Sequence, residues 1–270
     1  MAPWTNMIST LKNAPLVELV AELRWPPQCF PLNPATGGGP VEVPQSLISP
    51  SDSELFFQKF SSAISKYGFT RMERLSPFGM PLQHDRPACR YKHQDNIPIV
   101  VQIGPSVFSV NALPPYKTWN EFKPWIEKSV RALLDTNTSA SSFKASVRYI
   151  DAFKEDILGG MSASDFFQSK LGFKVIVPEA LTERKVVDEE IKLSLSVNIP
   201  LNNATMTISL TEGKILGELA AIMDTIVRVS DNIEPDIDSV TSAFDLAHDE
   251  IHGSFFKLIK NIINLLNQED

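Results

Sequence analysis

Apolar residues recur along this chain with two periods, alternating in short runs and returning every three or four positions in longer ones. Pro15 to Trp25 alternates well enough for a strand and runs into a proline- and glycine-rich loop from Pro26 to Pro50. Ser51 and Glu54 then stand at capping-box spacing, and Phe56, Phe57, Phe60, Ile64 and Tyr67 follow at helical spacing. This predicts an amphipathic helix over about 52–67, with its aromatic stripe in the core and Gly68 as a left-handed stop. Extended pieces at Thr70–Leu75, Ala88–Gln94, Pro98–Ile103 and Val107–Leu113 predict a meander, the last two joined by a Gly104-Pro105-Ser106 turn. Thr118 and Glu121 form a second capping box, and Phe122, Ile126, Val130 and Leu133 carry a helix to about Leu134. Pro124 is expected to distort its first turns.

A polar stretch from Asp135 to Ser142 closes this half, and the order of elements then repeats. Phe143–Phe153 is a strand, Ser162 caps a short helix through Phe166, Phe167 and Leu171, and extended segments return at Phe173–Pro178, Glu190–Ile199, Ala204–Leu210 and Glu218–Val229. A long terminal helix follows. Its stripe runs from Ile237 through Val240, Phe244, Ala247, Ile251, Phe255, Leu258 and Ile262 to Leu266, about eight turns at the helical period. The pattern predicts an α+β protein in which antiparallel sheets pack against helices. It divides into two topologically similar strand, helix, meander and helix halves, 1–142 and 143–270, which can also form one continuous unit.

In the second half Leu193, Leu195, Val197 and Ile199 alternate with Lys192, Ser194, Ser196 and Asn198, and Met206, Ile208 and Leu210 with Thr205, Thr207 and Ser209. One sheet face is therefore expected under helices. The other is rich in Ser and Thr and broad enough to meet a partner, with Ser194, Ser196, Thr205 and Thr207 as its contact candidates.

Of 270 residues, 43% are hydrophobic and 21% charged, a balance that supports folding throughout. The formal net charge is −7 with scattered basic residues, which argues against nonspecific nucleic-acid binding through counterion release. Two cysteines, Cys29 and Cys89, are too few for a disulfide framework and suit a reducing compartment. No basic stretch followed by an apolar run opens the sequence, and no segment has the apolar length of a bilayer span. A cytoplasmic location away from the membrane is expected.

Candidate chemistry is sparse. Gly37-Gly38-Gly39 is followed by Pro40 and Val41, where a phosphate-cradling loop needs lysine and a hydroxyl residue, so it reads as a surface loop. His248 and His252 stand four residues apart on the terminal helix and share a face that could hold a zinc ion. Asp249, however, follows His248 where the zinc-hydrolase pattern has glutamate, and no third ligand is indicated; the plain alternative is the polar face of a core helix. His84-Asp85-Arg86 and Arg90-Tyr91-Lys92-His93 read as surface residues in or beside turns, without a nucleophile and base. Arg148 and Asp151 project from opposite faces of an otherwise apolar strand, so one of them is expected to be buried and paired. No Ser/His/Asp order, Cys-x-x-Cys pair or dinucleotide fingerprint is present, and no cofactor is implied.

Four segments together resemble a sporadically distributed bacterial protein family of unknown function. They are Pro15-Leu16-Val17-Glu18 running to Glu22-Leu23-Arg24-Trp25, the block from Gln102-Ile103-Gly104-Pro105 to Ser109-Val110-Asn111, Pro115-Tyr116 with Trp119 and Phe122, and Arg148-Tyr149-Ile150-Asp151. The resemblance covers nearly the whole chain and implies no catalytic residues. The family's patchy distribution implies an accessory role in antiviral defence or a toxin-antitoxin system, by association and not by mechanism.

The first functional expectation is thus a non-catalytic binding or regulatory protein. Its partner would be another protein, or a second copy of the chain as a homodimer, held on the open sheet face or between the halves. The second is a small-ligand binder with a pocket between curved sheet and terminal helix, lined by Phe, Ile and Met and anchored by Arg148. The third is a metal-dependent hydrolase using His248 and His252.

Overall fold

The computed structural model of the chain describes residues 11, 13–26, 50–77, 82–116, 118–136, 140–183 and 192–267, with 50–52 in the backbone alone. Strand β1 (Leu16–Arg24) leads to helix α1 (Pro50–Ser65). The meander is β2 (Arg71–Arg74), β3 (Cys89–Lys92), β4 (Ile99–Ile103) and β5 (Val107–Ala112). Helix α2 (Trp119–Asp135) closes it, with Thr118 accepting from the Glu121 N–H as predicted. Next come β6 (Lys144–Phe153) and the short helices α3 (Glu155–Leu158), α4 (Ala163–Ser169) and α5 (Glu179–Thr182). Strands β7 (Leu195–Pro200), β8 (Ala204–Ile215) and β9 (Glu218–Val229) then precede α6 (Ile237–Leu258). The predicted Gly37–Gly39 loop, Cys29 and the Ser51 cap lie outside the described residues or side chains.

Among the described residues the strands pair antiparallel throughout in one nine-stranded sheet, ordered β2-β3-β4-β5-β1-β6-β9-β8-β7. The class is the predicted α+β, with one continuous sheet shared by both halves. Strands β1 and β6, which open the two halves, are neighbours at its centre, and each is flanked by the last strand of its own meander, β5 or β9. Their pairing satisfies the backbone edge that each half would expose alone.

One face carries the core. Leu19, Ala21 and Leu23 of β1, Val147 of β6, Met206 and Ile208 of β8 and Val227 of β9 are buried under α1, α2 and α6. Those helices answer with Phe57 and Phe60, Ile126 and Val130, and Phe244, Ala247 and Ile251. Each of the larger of these side chains, the Val, Leu, Ile, Met and Phe residues, contributes about 1.5–3 kcal/mol when removed from water. The predicted Phe and Ile stripes are therefore core stripes.

Several elements differ from expectation. Helix α6 stops at Leu258, and the apolar pattern continues in 3-10 turns at Ile259–Asn261 and Leu265–Asn267. Ile259 and Ile262 share one side because residues three apart eclipse in that tighter winding, and Leu266 is buried as well. The Leu266 carbonyl accepts from the Asn13 N–H, so this end ties down the approach to β1. The predicted strand Phe173–Pro178 has no regular secondary structure and joins no ladder among the described residues; the Phe173 N–H donates instead to the Phe167 carbonyl. Helix α2 runs through Pro124, because the carbonyl deprived of its donor is that of exposed Asn120 at the first turn. Tyr91 and His93, expected at the surface, are buried. Tyr91 lies on the helix face of β3, and His93 packs edge-on against Phe69 and Trp125. Among the described residues, no helix is long and apolar enough to cross a membrane.

Candidate functional site

Helix α6 carries a second stripe beside its core stripe. Asp245, His248, Asp249, His252 and Phe256 recur at spacings of three and four and turn toward a gap left between α6, the start of α2 and the ends of β1 and β6. This gap is a cavity of about 530 Å³. Aromatic rings of Tyr116, Trp119, Phe255 and Phe256 line it, together with Tyr149 and Asp151 from β6.

At the centre His248 is held on two sides. Its ring lies parallel to the Trp119 indole, with centroids 4.3 Å apart, and its Nδ1 is 2.7 Å from the Tyr149 hydroxyl. Asp245, one turn earlier, ties α6 to α2: its Oδ1 accepts from Trp119 Nε1 at 2.8 Å and its Oδ2 from Lys123 Nζ at 2.6 Å. The indole is thereby fixed at edge and face. Next to this group, β1 carries a bulge. Leu16 is paired with Asp151 and Glu18 with Ile150, which leaves Val17 as the extra residue opposite the point where Asp151 enters the cavity. Bulges of this kind re-aim side chains and collect beside functional sites.

The cavity shifts most of its ionisable groups toward their uncharged forms. Burial, helped by the neighbouring His252, pulls His248 down to about 4, and burial also lowers His252. Burial holds the Tyr149 phenol well above its usual range and pushes Tyr116 up to about 12. It raises Asp249 too, and Asp245 adds to that rise. Asp151 is 3% exposed, and burial with the added repulsion of Asp224 pushes it up to about 8. Among the described residues no hydrogen-bond donor and no cation meets its carboxyl. At neutral pH the cavity therefore presents two neutral imidazoles, two phenols and, at Asp151, a carboxyl that keeps its proton. The Lys123–Asp245 ion pair stands at its rim. Such a set can exchange hydrogen bonds with a ligand, and the Tyr149–His248 couple can pass a proton without either group being charged at rest.

Comparison with known proteins adds little. No protein-family model and no curated protein matches this sequence. Among solved structures, the di-domain ARO/CYC StfQ from the steffimycin biosynthetic pathway aligns with 78% of this chain and 95% of its own, at 11% identity and a TM-score of 0.18. At that score the likeness carries no argument.

The structure separates the residues singled out from the sequence. Asp151, His248 and His252 meet at the cavity, whereas Arg148, Ser196, Thr205 and Thr207 are placed on the open side of the sheet and Ser194 is exposed just before β7. The expected burial of one member of the Arg148 and Asp151 pair is right in one respect and reversed in the other. Asp151 is the buried group and lacks a partner among the described residues. Arg148, partly exposed, grips Asp224, its Nε donating to Oδ1 at 2.8 Å and its Nη2 to Oδ2 at 2.6 Å. Strand alternation also removes Arg148 from the role of pocket anchor, since it points away from the helices. Across β7 and β8 the open face is satisfied by short polar links, Ser196 to Ser209 at 3.2 Å and Thr207 to Asn198 at 2.7 Å. Among the described residues no group of three or more His, Cys, Asp or Glu is placed to hold a metal, and the Nδ1 of His248 is already engaged by Tyr149.

Sequence reasoning missed Tyr116, Trp119 and Tyr149 as site residues. All three lie in segments quoted above for their sequence pattern, as do Leu16 and Asp151, which also line the cavity. The helical spacing of Asp245, His248, Asp249, His252 and Phe256 was a further signal.

Proposed function

We propose that this protein binds a small organic molecule in the cavity between α6, α2 and the centre of the sheet. One observation carries the reading. Aromatic walls enclose about 530 Å³, and polar groups with displaced proton affinities, namely Tyr149, Asp151 and His248, converge on it. Two segments of the family resemblance supply Tyr116, Trp119, Tyr149 and Asp151 to the same place, which supports a role for the cavity beyond packing. The test is native mass spectrometry of gently purified full-length protein beside its Trp119→Ala variant. A low-mass adduct on the native chain that is lost from the variant supports the proposal; a native chain that carries none, and whose thermal unfolding no member of a diverse metabolite set shifts, overturns it.

A second reading is docking of a protein partner on the open sheet face. It is favoured by a hollow of about 630 Å³ there, lined by Arg24, Lys144, Arg148 and Arg228 among Glu22 and Asp224. The same spectrum distinguishes the two, because a macromolecular partner would appear as a stoichiometric high-mass complex sensitive to charge reversal at Arg228.

A further inference from the structure

The cavity contains an electrostatic asymmetry. Among the described residues, three carboxyl groups line it, Asp151, Asp245 and Asp249, against a single permanent cation, Lys123, which is committed to Asp245 at 2.6 Å. Its two histidines are neutral at physiological pH. Among the described residues, then, the lining offers no uncommitted positive charge to an anion.

Asp151 is the group this environment leaves unsatisfied. It sits where β6 meets the β1 bulge, buried, facing aromatic walls and without a donor among the described residues. Burying a carboxylate without a partner is strongly unfavourable, and the protein's response is to keep it protonated. The other charges near it do not relieve this. Lys123 is turned to Asp245; Asp224, across the sheet, adds repulsion and is itself held by Arg148. Tyr149 and His248 are bonded to each other. A neutral acceptor would use only the carboxyl's one proton, whereas a basic nitrogen would satisfy the ionised group with several donors. Aromatic rings such as those of Tyr116, Phe255 and Phe256, which line the cavity, are surroundings in which an organic cation is stabilised.

We infer that the ligand carries a basic nitrogen, an amine or amidine on an apolar or aromatic body, and that Asp151 is its anchor. The inference rests on the cavity being a ligand site. Binding then moves one proton from the Asp151 carboxyl to solvent when the ligand arrives as an ammonium ion, leaving a carboxylate–ammonium pair.

The experiment uses the full chain and three probes of one shape: phenethylamine, 2-phenylethanol and 3-phenylpropionate. Binding is followed at pH 7 through the Trp119 indole N–H resonance, assigned with Trp119→Phe. The expected result is that the amine binds at least tenfold more tightly than the alcohol, that the propionate is weakest, and that Asp151→Asn removes the amine's advantage. In the unaltered protein the Asp151 carboxyl resonance should titrate at lower pH when the amine is present, which needs no variant. An alcohol or propionate that binds as well as the amine overturns the inference and leaves the pocket reading standing. If no probe moves the Trp119 resonance at millimolar concentration, the inference is overturned, while the pocket reading stands or falls on the native spectrum and the metabolite set.

Discussion

The imidazole of His248 lies against the indole of Trp119 with the two planes 2° from parallel and the centroids 4.3 Å apart. This contact joins the fourth turn of one helix to the first residue of another. Replacing Trp119 by Ala removes the stack and the Nε1–H bond to Asp245 together. The variant should lose about 3 kcal/mol in chemical denaturation. Opening the site to water should also raise His248 from about 4 toward its ordinary 6.5, read from its imidazole proton shifts.

The depressed affinity of His248 also fixes the sign of an acid effect. The unfolded chain takes up a proton near 6.5 that the folded chain refuses until about 4, so this residue's contribution is intact above 6.5 and is lost as pH falls through that window. The loss is at most about 3 kcal/mol. A His248→Gln variant, measured by urea unfolding at pH 7 and pH 4.5, should show a smaller decline than the unaltered protein.

Asp151 acts in the opposite direction. Its folded value of about 8 lies above the ordinary 3.8, so its cost is absent at pH near 4 and grows as pH rises toward 8. Asp151→Asn should therefore be more stable than the unaltered chain at pH 8, by roughly 5 kcal/mol for a shift of that size, and close to it at pH 4. Equal stability at both pH values would mean that the carboxyl has a partner in solution.

Asp224 raises Asp151 through the sheet. Asp224→Asn should lower the Asp151 midpoint in a carboxyl titration while leaving the helix face of the sheet undisturbed. Breaking the half-exposed Arg148–Asp224 pair should itself cost no more than about 1 kcal/mol. Arg148→Ala should likewise leave ligand binding in the cavity unchanged, since Arg148 is on the other face of β6.

Gly68 ends the segment after α1 at φ +88, and a Cβ there would stand 2.2 Å from the Nε2 of His93. Because both the left-handed backbone and the buried imidazole oppose a side chain, Gly68→Ala should destabilise by about 2 kcal/mol, seen as a lower midpoint in thermal unfolding.

Local pattern by itself determined most of the elements. Alternation at Leu19, Ala21 and Leu23, the capping bonds of Thr118 and Ser162, and the helical stripe from Val240 to Ile251 depend on residues within a few positions of one another, so they are legible in one dimension. The failures were local as well. Ile259 to Leu266 reads as more helix because 3-10 turns bury the same spacing, and Phe173–Pro178 reads as a strand because alternation says nothing about a pairing partner. The α+β class and the antiparallel meanders followed from the order of these elements. Only the tertiary structure decided that β1 and β6 join the halves into one sheet, that Asp151 faces the cavity while Arg148 faces away, and that Trp119 meets His248 across more than a hundred residues. Those relations depend on which strand edges pair and where a bulge shifts the register, and burial and charge then act between residues that local sequence does not bring together.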